Sequence, residues 1–322
     1  MLTLILLLAL AFLASVEAWL RLGIGLGNPP LYQLHDDIEY LPVPGVYRRF
    51  GNTITCNRAH MRGPDFPHEK TDPNELRILV IGDSIVHGGV RVDDAHVATV
   101  VLEQTLRARL NRPVRVMNVG ASSWGPLNQL AYVRTFGVFD ADAAILVYNC
   151  SDMGDGFPPP PGTPMLGYEH PQRRPILAIQ EVLEKYVPRY LGINPSVVTH
   201  DTTDPPEPIA AYNKKLVGDM VAFLREKKVA VAGVVQWMES EIRNGPRPGT
   251  ILAREFLESF GVPLVETRDS FAAAMAAGEA PFLPRDEAHP SPVGQRVLTE
   301  CYEKALHAAA PNLLNATPPN GR

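Results

Sequence analysis

The sequence predicts an α/β domain built on a central, mostly parallel five-stranded sheet. Three observations predict it. Residues 76–81 (LRILVI) and 143–148 (AAILVY) are continuous apolar runs, the pattern of strands buried on both faces. Apolar runs alternate with stretches of helical spacing, as βαβ units require. The chain has 322 residues, 45% of them hydrophobic and 20% charged, enough for one large core.

The elements follow in order. A strand over 76–81 leads through Gly82-Asp83-Ser84 toward a helix over 94–110. A second strand (114–119) and helix (125–136) precede the third strand, 143–148. Leu216, Val217, Met220, Phe223 and Leu224 share one face of a helix over 210–225. Then come a strand over 229–235, a helix over 251–260, a short strand over 263–265 and a closing helix over 293–307. Upstream, 25–72 is rich in Pro, Gly and Arg, with short strand candidates at 45–50 and 53–56 that read as an approach segment or hairpin. The chain thus divides into an apolar segment (1–22), a membrane-proximal lead-in (23–75), the main domain (76–310) and a polar tail (311–322) that is expected to fray.

Composition excludes collagen-like, mucin-like and disordered chains. A net charge of −5 provides no broad basic surface, so no nucleic-acid partner is expected. Cys56, Cys150 and Cys301 are too far apart for a paired-Cys zinc site and too few for a disulfide framework. The nine histidines show no metal-ligand spacing, and neither metal nor cofactor is implied.

Ligands on open parallel sheets bind beyond the carboxyl ends of the strands. Those ends present Ser84, Gly120 and Asn149, and Asp286 and His289 stand just before the last helix. Taken singly, each is as well explained by a turn, a cap or a surface pair. Together they fit nucleophilic catalysis. His289 can activate the Ser84 hydroxyl, and Asp286, three residues earlier, can fix the imidazole tautomer. The Ser84 and Gly120 N–H groups and the Asn149 amide can serve as oxyanion donors. Asp83, Trp124, Asp152 and Phe157 lie beside these positions and are candidate substrate contacts. His87, three residues after Ser84, should point elsewhere. Cys150 reads as a small packed residue, and Gly23-Ile24-Gly25-Leu26-Gly27 lacks the strand–turn–helix setting of a dinucleotide loop.

Over Arg77 to about Ala309 the chain resembles the SGNH hydrolases, the GDSL-type lipases, esterases and acyltransferases. The resemblance rests on LRILVIGDSIVHGG around Ser84, MNVGASSWG around Gly120, and DEAHPSPVGQRVLTE around Asp286 and His289. The third block departs from the usual Gly-x-Asn-Asp: Cys150 follows Asn149, and Asp152 is the carboxylate nearby. Asn57 to Gly63 (NRAHMRG) resembles an element of membrane-tethered bacterial members, with Met61 where Phe is usual. The resemblance implies a flavodoxin-like, three-layer α/β/α fold and a serine esterase acting on an O-acyl, notably O-acetyl, group of a small molecule or glycan. An O-acetyltransferase of the cell envelope and a non-catalytic carbohydrate-binding protein are the alternatives.

Residues 2–20 (LTLILLLALAFLASVEAWL) have no polar face. About twenty such residues cross a bilayer. The preferred reading is a membrane anchor carrying an extracytoplasmic domain, with Trp19 at the interface. The alternatives are a signal peptide cleaved near Ala18 and a buried helix. The insertion over 152–208 holds twelve of the 31 prolines. It is expected to be either a linker or a wall of the substrate groove offering Phe157, Tyr168, Tyr186 and Tyr190, with a helix over 176–186.

Overall fold

The computed structural model describes residues 1–156, 170–191 and 203–315. Helix α1 (Leu2–Trp19) opens the chain and has no buried residue, which excludes the buried-helix alternative. With the π-turn Leu20–Ile24 it makes 23 residues long and apolar enough to cross a membrane. The lead-in holds two antiparallel hairpins: β1 (Tyr32–His35) with β2 (Glu39–Pro42), and β3 (Gly45–Arg49) with β4 (Asn52–Cys56). The second matches the expected hairpin. The first has no clear alternation in sequence.

The central sheet contains β5 (Leu76–Gly82), β6 (Val114–Gly120), β7 (Ala143–Tyr148), β8 (Ala230–Val235) and β9 (Leu264–Glu266) in the order β6-β5-β7-β8-β9. Every pairing is parallel. Alternate side chains of each strand point to opposite faces. Leu79 and Ile81 enter one core and Ile78 and Val80 the other, so the sheet divides the apolar interior into two layers.

Helices cover both faces. In chain order they are α2 (Ser84–His87), α3 (Ala98–Leu110), α4 (Pro126–Phe136), α5 (Ala178–Glu181), α6 (Val187–Tyr190), α7 (Glu207–Glu226), α8 (Glu239–Asn244), α9 (Pro248–Ser259), α10 (Arg268–Ala276), α11 (Pro292–Ala309) and α12 (Pro311–Asn315). The core lined by Leu79 takes α4, α7 and α9; the core lined by Ile78 takes α3, α10 and α11.

Several expected boundaries move. The helix predicted over 94–110 is split, because Val97 is extended between a 3-10 turn (Asp94–His96) and α3. The helix predicted over 176–186 is α5, a π-turn (Val182–Tyr186) and α6 in succession. The start of the tail does not fray: Leu314 is buried and the Arg112 guanidinium donates to the Leu313 carbonyl at 2.7 Å.

Arg62 locks the lead-in to the sheet. Its chain segment bridges to Asn118 of β6. Its buried guanidinium donates to Asp94 Oδ1 (2.8 Å) and to the carbonyls of His87, Gly89 (both 2.7 Å) and Val92 (2.6 Å). Removing it would take the donor from three carbonyls under the turn that follows Ser84, and the cation from Asp94, which keeps the Thr55 N–H. Loss of one partner from a buried ion pair costs about 3–5 kcal/mol, whereas an exposed pair contributes roughly 0–1 kcal/mol. Arg62→Ala should therefore lower the urea midpoint markedly, while Arg58→Ala, which removes the exposed pair with Asp65, should barely move it.

Candidate active site

The strand order makes β5 the switch point, with β6 on one side and β7 on the other, and a crevice opens above its carboxyl end. Gly82 lies level with Gly120 in the register. Beyond Gly82 the chain turns at Asp83, whose carboxylate caps α2 by accepting the Ile85 N–H at 2.9 Å. That turn presents Ser84 at the first helical position.

Ser84 meets the loop before α11. The Asp286 carboxylate accepts Nδ1–H of His289, with 2.9 Å to each oxygen. Nε2 is thereby left to accept the Ser84 hydroxyl, also at 2.9 Å. Asp286 Oδ1 further accepts the backbone N–H of Ala288 (3.1 Å) and His289 (3.0 Å), which holds the loop in shape. Burial would raise the Asp286 pKa, but the imidazole and these N–H groups outweigh it and hold it at about 2. Burial would lower the His289 pKa; the Asp286 hydrogen bond and charge, aided by Asp83, raise it above its ordinary 6.5.

Asn149 follows β7 with its amide fixed at both ends. Nδ2 donates to Asp83 Oδ2 at 3.0 Å, and Oδ1 accepts the Ser151 N–H and hydroxyl, each at 2.8 Å. Its own N–H donates to Asp152 at 2.6 Å, so Asp152 is the carboxylate that shapes this irregular block. One amide hydrogen of Nδ2 remains for a ligand. Burial raises the pKa of Asp83 despite these donors.

Ser84, Asn149, Asp83, Asp152, Trp124 and His289 all line a polar cavity of about 160 Å³. Gly120 does not. A Cβ there would come within 2.7 Å of the Asp83 carbonyl, so its lack of a side chain lets β6 approach the turn that carries Ser84. Ser123 lines the cavity in its stead, in left-handed backbone at φ 58°. Its loop is gripped from behind: the Ser122 carbonyl accepts Tyr40 OH (2.6 Å) and faces His170 Nε2 (3.0 Å), and Trp124 Nε1 donates to the Tyr40 carbonyl at 3.2 Å. Met238, just past β8, and Asp155 also line the wall and were missed by sequence reasoning, as were Ile85, Gly125, Ser151 and Ala288. The strand-end rule could have found Met238; nothing in the local sequence marks Ser123.

Phe157 and Tyr168 lie outside the described residues. Tyr186 and Tyr190 are not in the wall, because 170–191 packs elsewhere and none of it lines the cavity. His87 is fully buried away from the cavity, with burial and the Arg62 charge lowering its pKa to about 3. Cys150 is buried with Sγ at 3.4 Å from Met238 Sδ, and burial raises its pKa to about 12, so it stays a thiol. Among the described residues, no group of three or more His, Cys, Asp or Glu is placed to hold a metal ion.

No protein-family model and no curated protein matches the sequence. Solved structures do. One is a two-domain esterase active on acetylated mannans, at 12% identity over 77% of this chain and 52% of that one, with TM-score 0.47. This chain therefore spans about half that esterase's length. A second is LAE5, an α/β hydrolase enzyme from the metagenome of Lake Arreo, at 18% identity, 75% and 97% coverage, and TM-score 0.45. A third is a lipase/acylhydrolase from Enterococcus faecalis, at 15% identity, 72% and 95% coverage, and TM-score 0.44.

The His289–Asp286 pair has a pH signature. His289, its pKa raised by folding, contributes stability fully present below 6.5 and lost as pH rises through its folded value. Asp286 contributes stability present above 3.8 and lost as pH falls toward about 2. In a histidine NMR titration, His289 should titrate above 6.5. Asp286→Asn should lower its midpoint, because burial is then opposed only by the Asp83 charge. An unchanged midpoint would contradict the assignment.

Proposed function

We propose that this chain is a membrane-anchored serine esterase of the SGNH type, cleaving short O-acyl groups, O-acetyl foremost, from a small molecule or glycan. The observation that carries this reading is the unbroken Ser84–His289–Asp286 hydrogen-bond chain opening into the cavity at the switch point. Ser84 Oγ bonds to the ester carbonyl carbon while its proton passes to His289 Nε2. Asp286 stays ionised and stabilises the imidazolium. The oxyanion takes hydrogen bonds from the Ser84 N–H and the remaining Nδ2–H of Asn149. The donor expected from Gly120 comes in this reading from the loop just beyond it, at Ser123. The C–O bond to the alcohol then breaks, His289 returns the proton to the leaving oxygen, and water resolves the acyl-enzyme by the same steps in reverse.

The cavity's small volume favours a short acyl group. Retention of α1 as an anchor, with the domain outside the cytoplasm, is favoured over cleavage near Ala18 by contacts on both sides of that residue. Glu17 accepts the N–H groups of Ala178 (2.8 Å) and Ile179 (3.0 Å), and Leu20 packs on Leu26 and Ala178.

Ser84→Ala should abolish turnover of 4-nitrophenyl acetate and labelling by a fluorophosphonate probe while leaving the thermal midpoint unchanged. Asn149→Ala should lower kcat by about 10²–10³-fold. Undiminished hydrolysis by the Ser84 variant would overturn the mechanism. Equal rates on acetyl and octanoyl esters would overturn the short-acyl assignment.

A further inference from the structure

The helical run formed by α5, the π-turn and α6 has two unlike faces. Ala178 and Glu181 are buried, and Val182 and Tyr186 half-buried, where the run packs at the end of α1 against Leu20 and Leu26. On the other face, Leu183, Val187, Tyr190 and Leu191 recur at i, i+4, i+7 and i+8, a single helical stripe. These four are 60%, 37%, 88% and 62% exposed. Solvent-facing helix stripes are ordinarily polar, so this one calls for an occupant.

The end of α1 fixes where the stripe stands. Glu17 takes the first free N–H groups of α5, and the Arg21 guanidinium donates to the Ile176 carbonyl at 2.6 Å. Arg49 and Glu181 form a buried ion pair, to which Tyr186 OH and the Gly27 N–H are also bonded. The tip of the β3–β4 hairpin joins at the same level: the Phe50 N–H donates to the Ile24 carbonyl at 2.7 Å, and its ring meets Tyr186 edge-on with centroids 6.3 Å apart. Trp19, Leu22 and Phe50 are exposed there as well. Three chain segments thus meet at the end of the apolar helix, with exposed apolar side chains on each.

We infer that the Leu183–Leu191 stripe is a lipid-binding surface that lies in the interfacial layer of the membrane α1 crosses; this rests on the anchor reading of α1. Twenty-three helical residues span about 34 Å, against roughly 30 Å of hydrocarbon. With Leu2 at the far face, Glu17 lies about 22 Å and Arg21 about 28 Å along that axis, so the run they hold sits from the near headgroup boundary to roughly 7–8 Å beneath it. That is the depth at which amphipathic helices bury an apolar face. Exposed Arg173 and Arg174, just upstream of Ile176, suit anionic headgroups at that depth. Residues 170–191 of the insertion are in this way tied to the bilayer.

The test uses the full chain in phosphatidylcholine/phosphatidylglycerol vesicles, with an environment-sensitive fluorophore at Leu183→Cys, Val187→Cys or, for the anchor, Leu8→Cys. The native cysteines are buried and leave the label selective. All three labels should show blue-shifted emission, quenching by doxyl lipids and protection from aqueous iodide. Lipid quenching at Leu8 with iodide quenching at Leu183 and Val187 would overturn the lipid surface and keep the anchor. Iodide quenching at Leu8 would overturn the anchor and this inference with it. Labels at Leu183 and Val187 shielded from both quenchers would mean that protein covers the stripe, and would overturn the inference as well.

Discussion

The site depends on one buried carboxylate. Asp83 follows β5, and through its two oxygens it holds two of the elements that converge there: Oδ1 caps α2 and so presents Ser84, and Oδ2 takes the Asn149 amide at the end of β7. Its carbonyl sets how near β6 can come, which is why a side chain at Gly120 would not fit. Its charge reaches the fourth element by favouring the protonated form of His289. A buried carboxylate without such donors would be costly, because desolvation disfavours the charged form. Here the donors it needs are the groups whose positions the proposed chemistry depends on.

Legibility in the sequence followed burial. All seven residues of β5 and all six of β7 are buried, and continuous apolar runs are what strands covered on both faces look like. The β1–β2 hairpin was invisible because its job is local: it packs across the loop around Trp124 and shows no regular alternation of its own. Short α8 and α10 lack the length for a periodic signal. The split before α3 at Val97 is a backbone choice that no side-chain pattern announces. In the candidate site, Ser84 and Asn149 were legible because the strand-end rule and their chemistry coincide, and His289 because it stands three residues after Asp286, just before the last helix. Ser123 was not, because a serine with φ 58° owes its conformation to its surroundings.

The same hairpin shows how the two ends of the molecule are joined. Tyr40 of β2 holds the Ser122 carbonyl and, through its own carbonyl, the Trp124 indole, both beside the cavity. Asn128, at the start of α4, donates to the Ile38 carbonyl and to Glu39. The lead-in is thus a brace for the cavity-lining loop as well as a connector. It accounts for the backbone strain stored at Ser123, which persists because the surrounding contacts over-determine it.

Two parts of the insertion then divide their work by what each touches. Its first residues stay with the cavity, where Asp152 shapes the Asn149 turn and Asp155 lines the wall. Residues 170–191 leave it for the lead-in: the Tyr32 N–H donates to the Pro171 carbonyl, His170 packs between Tyr32 and Tyr40, and Glu181 pairs with Arg49. Those contacts place the segment on the same brace that steadies Ser122, with α1 at its far end. A buried pair such as Arg49–Glu181 contributes little net stability, since desolvation offsets its attraction. Its effect is to fix geometry. Pairing Arg49 elsewhere would leave Glu181 buried and uncompensated, so α5 has one place to dock, and that place is the end of the apolar helix.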